Sequence, residues 1–311
     1  MSKPENNRGV QLETVSSDHD GQRVDNFLSA RLKGIPRSLV YRLIRTGQVR
    51  INGKRCKPSN RLHEGDQVRI PPAHVNSREA AHISDEVQQR LRERIIHRDD
   101  DILVVDKPAG MAVHAGSGLP WGLIDVLRRI YPDEFLELAH RLDRETSGCL
   151  VLARNGAALG WLGAQFREGA AGKRYLCLLD GTFPESTVEV DAPLARVATG
   201  HRRVVEVNPA GKPALTRFHR LQAYPGASYA EAELLTGRTH QIRVHALHLG
   251  MPLAGDRKYS PRDSLKRWRK LGLKRMFLHA HALTLETTDG GRLEFSAALP
   301  PELGTVLSAL E

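Results

Sequence analysis

Cysteine is scarce in this 311-residue chain: Cys56, Cys149 and Cys177 are odd in number, far apart and never arranged as C-x-x-C. That excludes a disulfide framework and leaves no zinc or dithiol redox pattern, so a reducing compartment is expected. No run of eighteen apolar residues occurs, and the first thirty residues mix charges and polar groups where a secretory signal needs an apolar stretch. Neither a membrane nor export is indicated, and a cytoplasmic location is expected. No G-x-G-x-x-G follows a strand-like segment, and EGAAGKR, in which Lys173 follows Gly172, lacks the spacing and the Ser/Thr of a phosphate loop. No nucleotide cofactor is therefore assigned. His279 and His281, and His240 and His245, lie close in sequence, but no carboxylate or cysteine completes a ligand spacing. Polar packing or contact with a binding partner suits them better, and no metal is assigned. A repeat of fixed period is also lacking.

What is present is an ordinary globular composition, 40% apolar and 26% charged, in a chain long enough for a small domain plus a larger one. The net charge of +10 becomes informative once it is located. Residues 21–72 hold twelve Lys/Arg against only Asp25, Glu64 and Asp66, which leaves the rest of the chain nearly neutral. A dense positive patch on a compact domain is the electrostatic footprint of a polyanion binder, because each neutralised phosphate releases counterions.

Residues 1–20 are polar and without periodicity, and are expected to form a flexible tail. From Arg23, the positions Val24, Phe27, Leu28 and Leu32 follow a helical period that Gly34 ends. Pro36 opens a second helix, with Leu39, Val40, Leu43 and Ile44 on one face and Gly47 as its stop. Then come Val49–Ile51, an Asn52-Gly53 turn suited to a tight hairpin, and a strand at Val68–Ile70. This helix–helix–hairpin run, with QVRINGKRCKPSNRLHEGDQVRI, resembles the S4 RNA-binding domain. The resemblance implies that Arg37, Arg42, Arg45, Arg50, Lys54 and Arg55 face RNA phosphates. Residues 73–94 read as a linker or an exposed helix. The expected organisation is thus a tail (1–20), an S4-like domain (21–72), a linker (73–94) and a larger domain (95–311).

Beyond Ile95, apolar strand-like segments at Ile102–Val105, Cys149–Ala153, Tyr175–Leu179 and Phe277–Leu285 alternate with amphipathic stretches at Leu123–Tyr131 and Ala157–Phe166. The spacing is too irregular for a doubly wound sheet, so an α+β domain on a mixed, mainly antiparallel sheet is expected. One segment there carries chemistry: HRLDRETSG, from His140, sets Asp143 among arginines just before the apolar run CLVLA. On charge alone, Asp143 would simply pair with Arg141 or Arg144 at the surface.

HRLDRETSG is similar to the signature of the RluA family of pseudouridine synthases, and DKPAGMAVH, KRYLCLLDG and TGRTHQIRVH match that family in order, followed by GMPLAGDRKY and FLHAHAL. The resemblance spans nearly all of residues 95–290. With an S4-like domain in front, the layout is most like members that act on large-subunit (23S) ribosomal RNA during its assembly into ribosomes. It implies that Asp143 is the catalytic carboxylate that acts on a flipped-out uridine, moving the bond of ribose C1′ from N1 to C5 of uracil. It implies that Arg243 pairs with that carboxylate, that Tyr175 stacks on the base and helps remove the C5 proton, and that Arg141 fills the gap left by the extruded nucleotide. No cofactor is required, since the product contains every atom of the substrate. A core position for Tyr175 and a plain salt bridge for Arg141 are the competing readings. At the level of the whole chain they are a non-catalytic S4-type RNA-binding or ribosome assembly factor, and a glycosylase that releases uracil.

Overall fold

The computed structural model describes residues 9–32, 37–72, 83–115, 121–183, 185–199, 202–287 and 289–311, the side chains of 37, 38, 199, 202 and 203 excepted. The chain divides into two compact units between His82 and Ile83.

The first unit contains, in order, β1 (Gln11–Thr14), α1 (Val24–Arg31), α2 (Arg37–Arg45), β2 (Arg50–Ile51), β3 (Lys54–Arg55) and β4 (Gln67–Ile70). Val24, Phe27 and Leu28 of α1 meet Val40, Leu43 and Ile44 of α2, and Val49, Leu62, Val68 and Ile70 close the core from the strand side. Asn52 and Gly53 both have positive φ, 49° and 75°, so the two-residue turn has the twist a tight hairpin needs, and Arg50 pairs with Arg55 across it. Part of the stretch expected as a tail is structured: β1 pairs antiparallel with β4, and Val15 is buried in the core. The signal was weak because Leu12 is 70% exposed, so β1 shows no apolar face. Gly34 and Pro36, expected to separate the two helices, lie outside the described residues.

The second unit runs α3 (Asp85–Arg92), β5 (Ile95–Arg98), β6 (Ile102–Lys107), α4 (Leu123–Ile130), β7 (Glu137–Leu138), β8 (Ser147–Ala153), α5 (Gly156–Glu168), β9 (Gly172–Leu179), β10 (Thr187–Asp191), β11 (Leu194–Thr199), β12 (Arg202–Val207), β13 (Leu215–Tyr224), β14 (Ala227–Leu234), α6 (Gln241–His248), α7 (Arg262–Lys270), β15 (Leu278–Glu286), β16 (Arg292–Ser296) and α8 (Pro301–Ser308). Its main sheet has the order β10-β13-β14-β9-β15-β8-β6-β5, with β16 on β15 and β7 on β8, while β11 and β12 form a separate hairpin. Only β15 and β8 pair in parallel among the described strands, so the fold is α+β on a mixed, mainly antiparallel sheet.

All seven residues of β8 are buried, which explains its unbroken apolar run. Leu150 and Leu152 pack with Ile124 and Leu127 of α4, whereas Cys149, Val151 and Ala153 pack on the opposite face with Ala158 and Leu162 of α5. Each fully buried leucine or valine there contributes about 1.5 to 3 kcal/mol. Within the stretch 73–94, residues 73–82 lie outside the described residues, but Ser84 caps α3 through the Val87 N–H, and Leu91 of that helix joins the core of the second unit.

Candidate active site

The loop that carries Asp143 is tied down at both ends. At its exit, Gly148 has φ +111° and lies where β8 begins its parallel pairing with β15; a Cβ there would come within 2.2 Å of the Ala280 carbonyl oxygen. On the other side is Lys107, the fully buried last residue of β6, whose three N–H groups meet the carbonyls of Pro108, Met111 and Arg144 at 2.9, 2.8 and 3.1 Å. Burial pushes Lys107 down to about 7, with Glu145 and Asp143 pulling the other way. The Gly110 N–H donates to the same Arg144 carbonyl at 2.8 Å, and the Thr146 N–H closes the turn onto the Asp143 carbonyl at 3.1 Å.

The carboxylate of Asp143 accepts a hydrogen bond from Arg243 Nη1 at 2.8 Å on Oδ2, while Oδ1 has no partner among the described residues. Arg243 itself is gripped from behind. Its Nε and Nη2 donate to Oδ2 and Oδ1 of Asp256 at 2.7 and 2.8 Å, a bidentate fork that leaves one edge of the guanidinium for Asp143. Asp256 is almost fully buried and also accepts the Lys258 N–H at 2.9 Å. Burial works against the charge on Arg243, but the hydrogen bond and charge of Asp256, joined by Asp143, hold its pKa above the usual range.

A second arm reaches the same oxygen. His240 Nε2 lies 3.7 Å from Asp143 Oδ2, and its Nδ1 is 2.7 Å from the Tyr259 hydroxyl. That hydroxyl accepts the Val205 N–H at 3.3 Å, so Tyr259 links the β12 backbone to the imidazole whose other nitrogen faces Asp143. Burial lowers His240 to about 4, against the pull of Asp143, so the ring is neutral near pH 7.

Over residues 101–248 the chain matches the family described as RNA pseudouridylate synthase, and over residues 22–68 the S4 domain. It is 44% identical to ribosomal large subunit pseudouridine synthase C of Pasteurella multocida over 98% of this chain and 95% of that one. It is 45% identical to the protein of that name from Escherichia coli, over 88% of each chain. The chain belongs to the RNA pseudouridine synthases. Among solved structures, human RNA Pseudouridylate Synthase Domain Containing 4 is 27% identical, with a TM-score of 0.61 over 72% of this chain and 95% of that one.

In this synthase, Asp143, Arg243 and Tyr175 come together. Tyr175 sits on β9 and is 8% exposed, packed in the core with Leu179 and Ala232, yet it also feels Asp143. Burial first, then the Asp143 charge, raises its pKa, so it is a phenol at neutral pH. Asp143 does not pair with Arg141 or Arg144: Arg144 donates to the Gly110 carbonyl, and Arg141 is exposed with no ion pair among the described residues. The histidines weighed as ligands have other duties. His279 accepts from Ser147 and donates to the Ala297 carbonyl, His281 meets Glu231, and His245 lies between Thr216 and the Ala192 carbonyl.

In the S4 unit, Arg42 and Arg45 of α2, Arg50 of β2, and Lys54 and Arg55 of β3 are all exposed, and none has an acidic partner among the described residues. By contrast, Arg23 and Arg31, at the two ends of α1, are paired with Asp25 and Glu13. The side chain of Arg37 lies outside the described residues. Sequence reasoning passed over Asp256, Tyr259 and Lys107 as individual residues and gave His240 no role at Asp143, although each falls inside a segment that carries the family resemblance. Asp256 and Tyr259 belong to GMPLAGDRKY, His240 to TGRTHQIRVH and Lys107 to DKPAGMAVH.

Proposed function

We propose that this synthase converts uridines of large-subunit ribosomal RNA to pseudouridine in the cytoplasm, with Asp143 as the catalytic carboxylate. The observation that carries this reading is the chain Asp256–Arg243–Asp143, which fixes one carboxylate oxygen and leaves the other free. Arg243 pairs with Asp143 and fixes its orientation, so Oδ1 is available to stabilise or trap ribose C1′ when its bond to N1 breaks. After the detached uracil turns and C5 bonds to C1′, the C5 proton must leave. Tyr175, whose phenol feels the Asp143 charge, is the group we assign to accept it, its own proton going to the Asp143 carboxylate that is released once C1′ is bonded to C5. Arg141, free of ion pairs, suits the gap left by the flipped nucleotide. The unpaired basic side chains of the S4 unit supply the sequence-independent grip on phosphates. The names of the relatives support the choice of large-subunit ribosomal RNA.

Mapping pseudouridines in ribosomal RNA from cells with and without the protein tests the substrate. In the same assay the Asp143→Asn protein is expected to bind RNA within a few-fold of wild type and to form no pseudouridine. Turnover above about a hundredth of wild type would remove Asp143 from the chemistry. Sites unchanged on deletion would favour a non-catalytic assembly factor, and free uracil in the product would favour a glycosylase.

A further inference from the structure

Lys173 has no part in the chemistry described above, and its surroundings are unusual. It lies on β9 two residues before Tyr175 and on the same face of that strand, and it is 7% exposed. A lysine so deep in a protein normally has a carboxylate or several carbonyls around its ammonium, as Lys107 does here. Lys173 has no hydrogen bond and no ion pair among the described residues, yet its Nζ is not sealed from the surface. The nitrogen lies beside Gly237, 4.0 Å from where a Cβ on that residue would stand. Gly237 and its neighbour Arg238 are exposed, and they belong to the turn that leads into α6 and Arg243. On its other side the charge of Lys173 reaches His140, three residues before Asp143. The ammonium thus lies beside the turn that leads to Arg243, its charge reaches the loop that carries Asp143, and Arg238 adds a second positive charge, with no anion paired to Lys173 among the described residues.

We infer that Lys173 and Arg238, with the open backbone at Gly237, form an anion subsite that takes a backbone phosphate next to the flipped uridine. A polynucleotide substrate carries such a phosphate on each side of every nucleotide, and an unpaired ammonium with small neighbours is the partner it lacks here. Without RNA, burial and the nearby Arg238 hold the lysine below its ordinary pKa, and a phosphate would pull it back up. The inference rests on Asp143 being the point at which the uridine is presented.

The test uses the full-length protein and a stem-loop containing a uridine that the wild type converts. Two further stem-loops carry an uncharged methylphosphonate in place of the phosphate 5′ or 3′ of that uridine. Lys173→Met is expected to lower single-turnover efficiency by roughly ten- to a hundredfold, the range of one hydrogen bond to a charged group. One of the two methylphosphonates should lower the wild type by a similar factor and lower Lys173→Met hardly further. The melting midpoint of Lys173→Met should not fall, because an unpaired buried charge has been removed. Unchanged turnover in Lys173→Met overturns the inference, as do losses that simply multiply at both linkages. Multiplying losses together with a lower melting midpoint would make Lys173 a packing residue. Binding of the same RNAs to Asp143→Asn, with and without Lys173→Met, reads the phosphate interaction without chemistry. Failure of the Asp143 reading therefore shows as turnover in Asp143→Asn and leaves the Lys173 coupling separately measurable.

Discussion

His240 holds a left-handed backbone position, φ 57°, which non-glycine residues other than asparagine and its kin adopt rarely. The conformation sets the ring between Tyr259 and Asp143. Burial lowers its folded pKa to about 4, whereas the unfolded chain takes up the proton near the ordinary value of about 6.5. Between those values the unfolded state binds more protons, so the stabilisation is full above the upper one and is lost as the pH falls through the window. Melting midpoints measured from pH 7.5 to 4 should therefore drop more steeply for wild type than for His240→Asn, whose side chain tolerates the same backbone; parallel curves would show that folding does not shift the ring's pKa. Tyr175 presents a different choice, between core packing and proton transfer. Tyr175→Phe keeps the ring that can stack on a base, worth about 1 to 3 kcal/mol, and removes only the hydroxyl. Binding and melting midpoint should be nearly unchanged while single-turnover rate falls by about a hundredfold. Full activity in Tyr175→Phe would leave Tyr175 a core residue.

At the scale of elements, the point of greatest constraint is the junction of β8 with β15, because the catalytic loop enters the sheet there. Gly148→Ala would put a methyl group against the Ala280 backbone at a φ that L residues avoid, and is expected to cost about 3 kcal/mol or more. Gly160, in the middle of α5 with open space around it, is the matched control: Gly160→Ala should raise stability by about 0.5 to 1 kcal/mol. Denaturant midpoints of the two variants check both signs. The contrast also shows what the chain reveals of itself. A strand buried on both faces, such as β8, writes a continuous apolar run, and an amphipathic helix such as α4 writes its period, so both are legible from sequence. The edge strand β1 has almost nothing to bury and leaves no such trace. The site was legible as far as its motifs reach, which includes Asp143 and Arg243. The fork from Arg243 to Asp256 and the path from Val205 through Tyr259 to His240 were not, because they depend on how loops converge in space rather than on any period along the chain.

Across the whole molecule, the positive charge is concentrated in one unit, and the proposed function assigns that unit the grip on RNA phosphates. The excess positive charge lies in residues 21–72, and its exposed members on α2, β2 and β3 have no acidic partners among the described residues. In the second unit, basic side chains such as Arg90 and Arg217 are already paired, with Glu86 and with Glu189 and Glu233. An unpaired arginine can neutralise a phosphate and so release the cation condensed there, whereas a paired one must first give up its carboxylate. Replacing Arg42, Arg45, Arg50, Lys54 and Arg55 by glutamine should therefore weaken RNA binding and flatten the plot of log affinity against log salt, by about 0.7 to 0.9 for each phosphate no longer neutralised. Arg90→Gln with Arg217→Gln should leave the slope in place. On the proposed reading these side chains hold the RNA by its phosphates without reading its bases, so conversion of a uridine in a short stem-loop at saturating concentration should persist in the five-fold variant. Binding isotherms between 50 and 300 mM salt, roughly the range over which screening changes most for such ion pairs, decide the matter. An unchanged slope in the five-fold variant would show that the patch does not touch RNA, and a lower rate at saturation would show that it takes part in presenting the uridine to Asp143.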